Sequence, residues 1–470
     1  MRFEVDIHPG VGDAPVDGRL LVVIAPEATR EPWRWLGPRG PVVVGRDVVG
    51  MRPGVVAALD ENAARSTVGP IPEGVYACQA ILTRHPDDRS PDAPGNLVGP
   101  TVSAVLPGVV GLALDRRFPP RSIPADTGRI KYITIRSALL SNFHGRPIDR
   151  HVGVVLPEGH DPRRRYPLRV HIGGLGERAW SVHERMDDGR FRRALDDSPP
   201  TIYVHLDGGG PLGDPAQVDS AGNGPVGRSV VEELIPRVER EFSGLGTGQS
   251  RALEGESTGG WAALSLQIAY PDQFNGAWAS SPDPVDFRAF QTVDIYRDAN
   301  MYTDEQGRER PAARDRRGQV AYTVRDECVY ERALGAGDRI AASGGQWGSW
   351  SAAFGPLGDD RRPARLWDAT TGAIDPGVAE HWARHDLRRS LQRDWAALGP
   401  RLAGKLHVSV GDADEFALDG AVLRLGAFLA EADPPAGGWV RVGRGRGHCW
   451  SPLDGPALAR AIADRIGPAK

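Results

Sequence analysis

At 470 residues the chain exceeds one ordinary domain and reads as two. Hydrophobic residues make up 40% and charged residues 25%, the balance of a soluble globular protein able to bury a large core. The formal net charge is −4 and the basic clusters are as short as Arg163-Arg164-Arg165, so nucleic acid is excluded as an expected partner.

Residues 1–7 are charged and alternating, with no apolar core of a signal peptide. No segment approaches the ~20 apolar residues of a membrane span, so no membrane partner is expected. Cys78, Cys328 and Cys449 are odd in number and far apart, which argues against a disulfide framework or a metal knuckle. A reduced, cytoplasmic protein is the expectation. Short β-rich runs at 20–24, 41–44, 75–82 and 102–105 are separated by Gly and Pro and predict an immunoglobulin-like β-sandwich. The Pro-rich stretch 118–124 reads as a linker, closing a first domain of residues 1–125.

From residue 126 onward strands alternate with helices. Strands are expected at 152–156, 168–172, 201–206, 251–253, 276–280, 406–410 and 439–442, with helices at 230–242 and 260–269. This order predicts an α/β domain over 126–470: a mainly parallel sheet with helices on both faces and ligands at the carboxyl ends of its strands. Residues 282–405 form an insertion rich in Trp, Arg and Asp, read either as a lid over the active site or as peripheral packing. Its Trp347 and Trp350 are candidates for a substrate pocket, with core packing as the alternative.

The run Gly255-Glu256-Ser257-Thr258-Gly259 lies between an expected strand and an expected helix and reads as a nucleophile elbow, G-x-S-x-G. Such a turn lifts a serine hydroxyl to its apex, and the flanking glycines let backbones pass closely. A serine needs a base, and the base an orienting carboxylate. Val408-Ser409-Val410 runs into Gly411-Asp412-Ala413-Asp414, giving two aspartate candidates for the acid. The last strand leads through a Gly/Arg loop to His448 as the base. Backbone N–H groups of an oxyanion hole are expected from Thr258 and from the loop Gly173-Gly174-Leu175-Gly176.

From about residue 130 to the C-terminus the chain resembles the putative-esterase branch of the α/β-hydrolases, which includes esterase D, feruloyl and enterochelin esterases and secreted mycolyltransferases. Tyr166-Pro167, Asn223-Gly224-Pro225, the elbow with its extra Gly260, Tyr270-Pro271-Asp272-Gln273-Phe274 and Ser280-Ser281-Pro282 carry the likeness, together with Gly411-x-x-Asp414-x-Phe416. The resemblance implies that Asp414 is the acid, Asp412 a turn residue and Leu175 the second oxyanion donor. Where many relatives have His-Gly in that loop, this chain has Gly173-Gly174, and His171 is assigned to the strand. The N-terminal arrangement is similar to that of enterochelin esterases.

Two weaker signals carry bland readings. Asp207-Gly208-Gly209-Gly210-Pro211 lacks the Lys and Ser/Thr of a phosphate loop and reads as a flexible loop beside the active site. His381 and His385 have helical spacing but no zincin Glu, and read as surface helix. The sequence therefore predicts a serine hydrolase of small carboxylic esters with no metal or organic cofactor. An acyltransferase with the same triad, or a non-catalytic binding protein on this fold, are the alternatives. The β-sandwich is expected to bind substrate or to support a homodimer.

Overall fold

In the computed structural model, which describes residues 1–67 and 69–467, the N-terminal part consists of two packed sheets. In the smaller, Arg2–Ile7 lies between Ala57–Leu59 and Val109–Leu114, antiparallel to the first and parallel to the second. In the larger, Val16–Pro26 is central, antiparallel to both Val42–Met51 and Gly74–Thr83. Alternation along the strands sends Phe3, Val5 and Ile7 against Leu20, Val22 and Ile24 in one apolar core. The intervening Leu21 and Val23 are buried as well, because the opposite face packs on Tyr330 and Ala333 of the insertion. A strand covered on both faces has no polar alternation, which is why 20–24 is wholly apolar.

The second part is built on eight strands: β1 (Ile130–Arg136), β2 (Asp149–Val155), β3 (Leu168–Ile172), β4 (Ile202–Leu206), β5 (Arg251–Glu256), β6 (Ala277–Ser280), β7 (Leu406–Gly411) and β8 (Trp439–Gly443). Their order is β1-β2-β4-β3-β5-β6-β7-β8; β2 runs antiparallel to both its neighbours, β1 and β4, and the other pairs are parallel. This is the α/β-hydrolase sheet. One face presents Val170, Ile172, Val204, Leu253 and Val408 to the core that also holds Trp261 and Ala262 of the helix Thr258–Ala269. The other face is partly charged: Arg169 pairs with Glu254 at 2.7 Å, both buried. No helix of the described residues is long and apolar enough to cross a membrane.

The expected helix at 230–242 is interrupted. Residues Ser229–Leu234 form a π-helical turn, and the α-helix runs over Ile235–Phe242. Pro236 sits in its first turn and has no N–H to donate, and the Ile235 N–H reaches back to Val230.

Between β6 and β7 the chain forms a hairpin (Pro311–Arg314 with Val320–Thr323) and four helices, Val324–Leu334, Gln346–Phe354, Pro376–Trp382 and Leu387–Leu402. Thr323 and Asp326 close a capping box on the first helix. Its last turn is clamped to the N-terminal sheet by Arg19, only 3% exposed, which donates to the Ala333 carbonyl at 2.9 Å and pairs with Asp47 and Asp338.

Candidate active site

β5 ends at Glu256, and the chain reverses at Ser257 with φ 56° and ψ −126° before entering the helix Thr258–Ala269. A left-handed φ on a non-glycine residue is strained by about 1–3 kcal/mol and persists only where its surroundings fix it. Here the Ser257 N–H donates to the Ser280 carbonyl at 3.1 Å, and its own carbonyl accepts from Trp261 and Asp283. The glycines are required by close approach. A Cβ at Gly255 would lie 2.3 Å from the Gly259 carbonyl oxygen, and one at Gly259 only 2.0 Å from that of Ile172. The elbow thus wedges its helix against the end of β3.

The loop after β8 carries His448. Its N–H donates to Glu415 at 2.6 Å, and the Cys449 N–H donates to Ser281 Oγ at 3.0 Å. His448 Nδ1 lies 2.9 Å from Asp414 Oδ2, and the buried Asp414 is itself held by the Phe416 N–H. A carboxylate only accepts, so Nδ1 carries the proton and Nε2 of the neutral ring keeps a lone pair. Asp412 instead accepts from the Gly445 N–H at 2.6 Å and shapes the turn. Burial presses the His448 pKa down, but the hydrogen bond and charge of Asp414, with the Cys449 sulfur beside it, outweigh burial and raise it above the ordinary imidazole value.

Ser257, His448 and Leu175 line one cavity of about 560 Å³. Among the described residues the Leu175 N–H makes no hydrogen bond, and the Thr258 N–H, in the first turn of its helix, has no intrahelical acceptor. The Gly176 N–H next door donates to Asp214 at 2.8 Å, which fixes the Gly173–Gly176 loop. Asp214 is fully buried and its pKa is pushed up to about 7 by burial, held back by the Gly176 and Ala216 N–H groups.

Three carboxylates that sequence reasoning missed face the same cavity. Asp283 accepts from Thr258 Oγ1 at 2.8 Å, Trp350 Nε1 at 2.7 Å and Gln346 Nε2 at 3.1 Å. Burial raises its pKa. Glu327 and Glu331 follow one turn apart on the helix Val324–Leu334; burial and their mutual repulsion push Glu327 to about 8, and burial pushes Glu331 to about 7. A like-charged i,i+4 pair on a face with Cys328 and Tyr330 is the only local signal that marks them.

Trp350 lines the cavity, whereas Trp347 does not. Trp347 is wholly buried, packs edge-on against Trp350 and Trp367, and donates its Nε1 to Glu327. Its place in a substrate pocket is therefore corrected to a wall behind it. The loop after β4 borders a neighbouring cavity of about 720 Å³ rather than this one, and its Asp207 is pinned by Arg178 and the Ala179 N–H. His381 and His385 are not on one helix, since it ends at Trp382; His385 is half-buried, with its ring against Phe354. The His171, Glu177 and His205 side chains converge to within 4.8 Å of one another, but the Arg185 guanidinium already grips both Glu177 oxygens at 3.0 Å.

Residues 146–419 match the sequence profile of the Putative esterase family, which is more than half of the chain. The chain belongs to this family. It is a carboxylic ester hydrolase. The matched segment contains Ser257 and Asp414 and ends before His448. Among solved structures, the esterase is similar to an S-formylglutathione hydrolase from Agrobacterium tumefaciens, with 14% identity, a TM-score of 0.40 and coverage of 74% of this chain and 99% of that one. It is similar also to a fluorophosphonate-binding serine hydrolase of Staphylococcus aureus (13%, TM-score 0.39, 73% and 100%). A ferulic acid esterase from Anaeromyces mucronatus is a third (13%, TM-score 0.33, 73% and 93%). A comparison with curated proteins finds no match.

Proposed function

We propose that the esterase cleaves small carboxylic esters through an acyl-enzyme on Ser257, with His448 as base and Asp414 as its orienting acid. The observation that carries this reading is the 2.9 Å bond from His448 Nδ1 to Asp414 Oδ2, on a ring that shares the cavity of the strained Ser257. Ser257 Oγ attacks the ester carbonyl as His448 Nε2 takes its proton. The Asp414 carboxylate stabilises the imidazolium that forms. The N–H groups of Thr258 and Leu175 meet the oxyanion, and the dipole of the helix Thr258–Ala269 adds to them. His448 then protonates the leaving alcohol, and water reverses the sequence to free the acid. The N-terminal sheets, which we read as an immunoglobulin-like unit, support the wall of the cavity: Gly37 and Pro38 belong to its lining.

Ser257→Ala is expected to abolish both fluorophosphonate labelling and hydrolysis of p-nitrophenyl acetate while the protein stays folded by circular dichroism. Labelling that survives in the variant overturns the assignment.

A further inference from the structure

Setting His448 aside, the Asp, Glu, Lys and Arg side chains that line the Ser257 cavity are all acidic. Five acidic side chains line it and, among the described residues, no Lys or Arg does. The chain as a whole is nearly balanced, with 57 basic and 61 acidic residues, so the bias belongs to this cavity. Two of the five, Glu177 and Glu256, share the single counter-charge of Arg185 at 3.0 and 3.2 Å. The other three are Asp283, Glu327 and Glu331, each no more than 7% exposed.

These three have neutral partners only: indole N–H groups, hydroxyls, the Gln346 amide and the backbone N–H groups of Trp347 and Gly348. A buried carboxylate without a counter-charge is costly, and a cation brought by a ligand relieves it. A second observation also points to a ligand. Gln291, 7% exposed and lining the cavity, has its side-chain Oε1 without a hydrogen-bond partner. It is an acceptor awaiting a donor.

The shape of the lining selects the cation. Oxygen ligands for a metal ion must converge, and the acidic groups of this recess do not; the described residues bring three or more candidate ligand atoms within 4.8 Å of one another only at His171, Glu177 and His205. Tyr322, Tyr330, Trp350 and Phe416 line the same space, and aromatic faces attract organic cations. A neutral polyol leaves the carboxylates uncompensated, and an anionic ester is repelled.

We propose that the recess formed by Asp283, Glu327, Gln291 and the aromatic residues beside them binds an organic ammonium group, and that the esters this enzyme prefers carry one. The inference rests on Ser257 as the nucleophile, since it takes the recess as the substrate-binding half of that site. It concerns recognition only and adds no chemical step.

Two measurements test it. The first compares kcat/KM for 5-aminopentyl butyrate and for its uncharged isostere hexyl butyrate, in which carbon replaces nitrogen, and for the same matched pair with a primary ammonium on the acyl side of a p-nitrophenyl ester. The cationic ester is expected to win by about tenfold in one pair, and Glu327→Gln to cut that ratio severalfold. The second uses the wild-type protein and does not depend on a folded variant. Benzylammonium is expected to slow fluorophosphonate labelling of Ser257 at concentrations about tenfold below those needed for benzenesulfonate. Ratios at or below unity in both ester pairs, or equal protection by the two probes, overturn the ammonium site while leaving Ser257 in place. No labelling of Ser257 at all overturns the nucleophile reading instead.

Discussion

Gly259→Ala is a sharp test of how the elbow is built. The added methyl would sit 2.0 Å from the Ile172 carbonyl oxygen and 2.3 Å from that of Gly173, both of them backbone atoms at the end of β3 and the start of the oxyanion loop. Carbon–oxygen contacts below 3.0 Å are essentially unknown for Cβ atoms, so helix and loop must separate by at least the missing 1.0 Å. A displacement of about 1 Å between catalytic groups lowers the rate roughly 100-fold, equivalent to about 2.7 kcal/mol of barrier. Overpacking removes a further ~1–3 kcal/mol of stability. Gly174→Ala is the matched control: it lies in the same loop, and a Cβ there meets nothing within 4 Å. Stopped-flow acylation by p-nitrophenyl acetate reads the chemical step directly, with a urea midpoint for stability. If Gly259→Ala acylates within threefold of wild type while Gly174→Ala is the slower variant, the wedge account of the elbow is wrong.

Other consequences are as direct. Asp414→Asn should lower kcat by orders of magnitude, about 10⁴-fold as in comparable triads, and move the ascending limb of the pH–rate profile to lower pH because the carboxylate that raises the His448 pKa against burial is gone; Asp412→Asn, a change in a turn, should leave that limb where it is. Asp214, Glu327 and Glu331 have folded values of about 7, 8 and 7, raised from ordinary values of 3.8, 4.5 and 4.5. An acid raised on folding stabilises below its unfolded value and loses that contribution as pH climbs through its folded one. The melting temperature should therefore fall between pH 5.5 and pH 8.5, by several degrees at about 1.4 kcal/mol per pKa unit, and a flat or rising profile by calorimetry contradicts the burial argument. Arg19→Met should lower the urea-unfolding free energy by about 1–3 kcal/mol by leaving the Ala333 carbonyl without its buried donor; an unchanged midpoint would show the clamp to be idle.

The elements that bear the site were legible because their signals are local. The runs at 168–172, 251–253 and 406–410 lie within β3, β5 and β7, and the elbow announces itself by glycines whose necessity is steric. The choice between Asp412 and Asp414 is not local: both follow β7, the family resemblance points to Asp414, and in the fold it is Asp414 that meets a histidine thirty-four positions away. Asp283 is the clearest omission. Its partners Thr258 and Trp350 lie 25 and 67 residues from it, and an aspartate after Ser-Pro looks like any turn residue. Residues 1–7 were read only as charged and alternating, because a short strand between two neighbours declares itself through its partners at Ala57–Leu59 and Val109–Leu114. The break in the expected helix at 230–242 has a local signal, Pro236 in the middle of that span, where a missing N–H removes an i→i−4 bond.

The strand Val16–Pro26 is apolar on both sides, with Leu21 and Val23 set against Tyr330 and Ala333. The helix Val324–Leu334 that they support also carries Glu327 and Glu331 into the Ser257 cavity. Shortening this esterase to its family-matched segment would therefore strip the backing from one wall of its own binding recess and bare an oily seam to water. A change of specificity written on that helix must likewise be compatible with the sheet behind it.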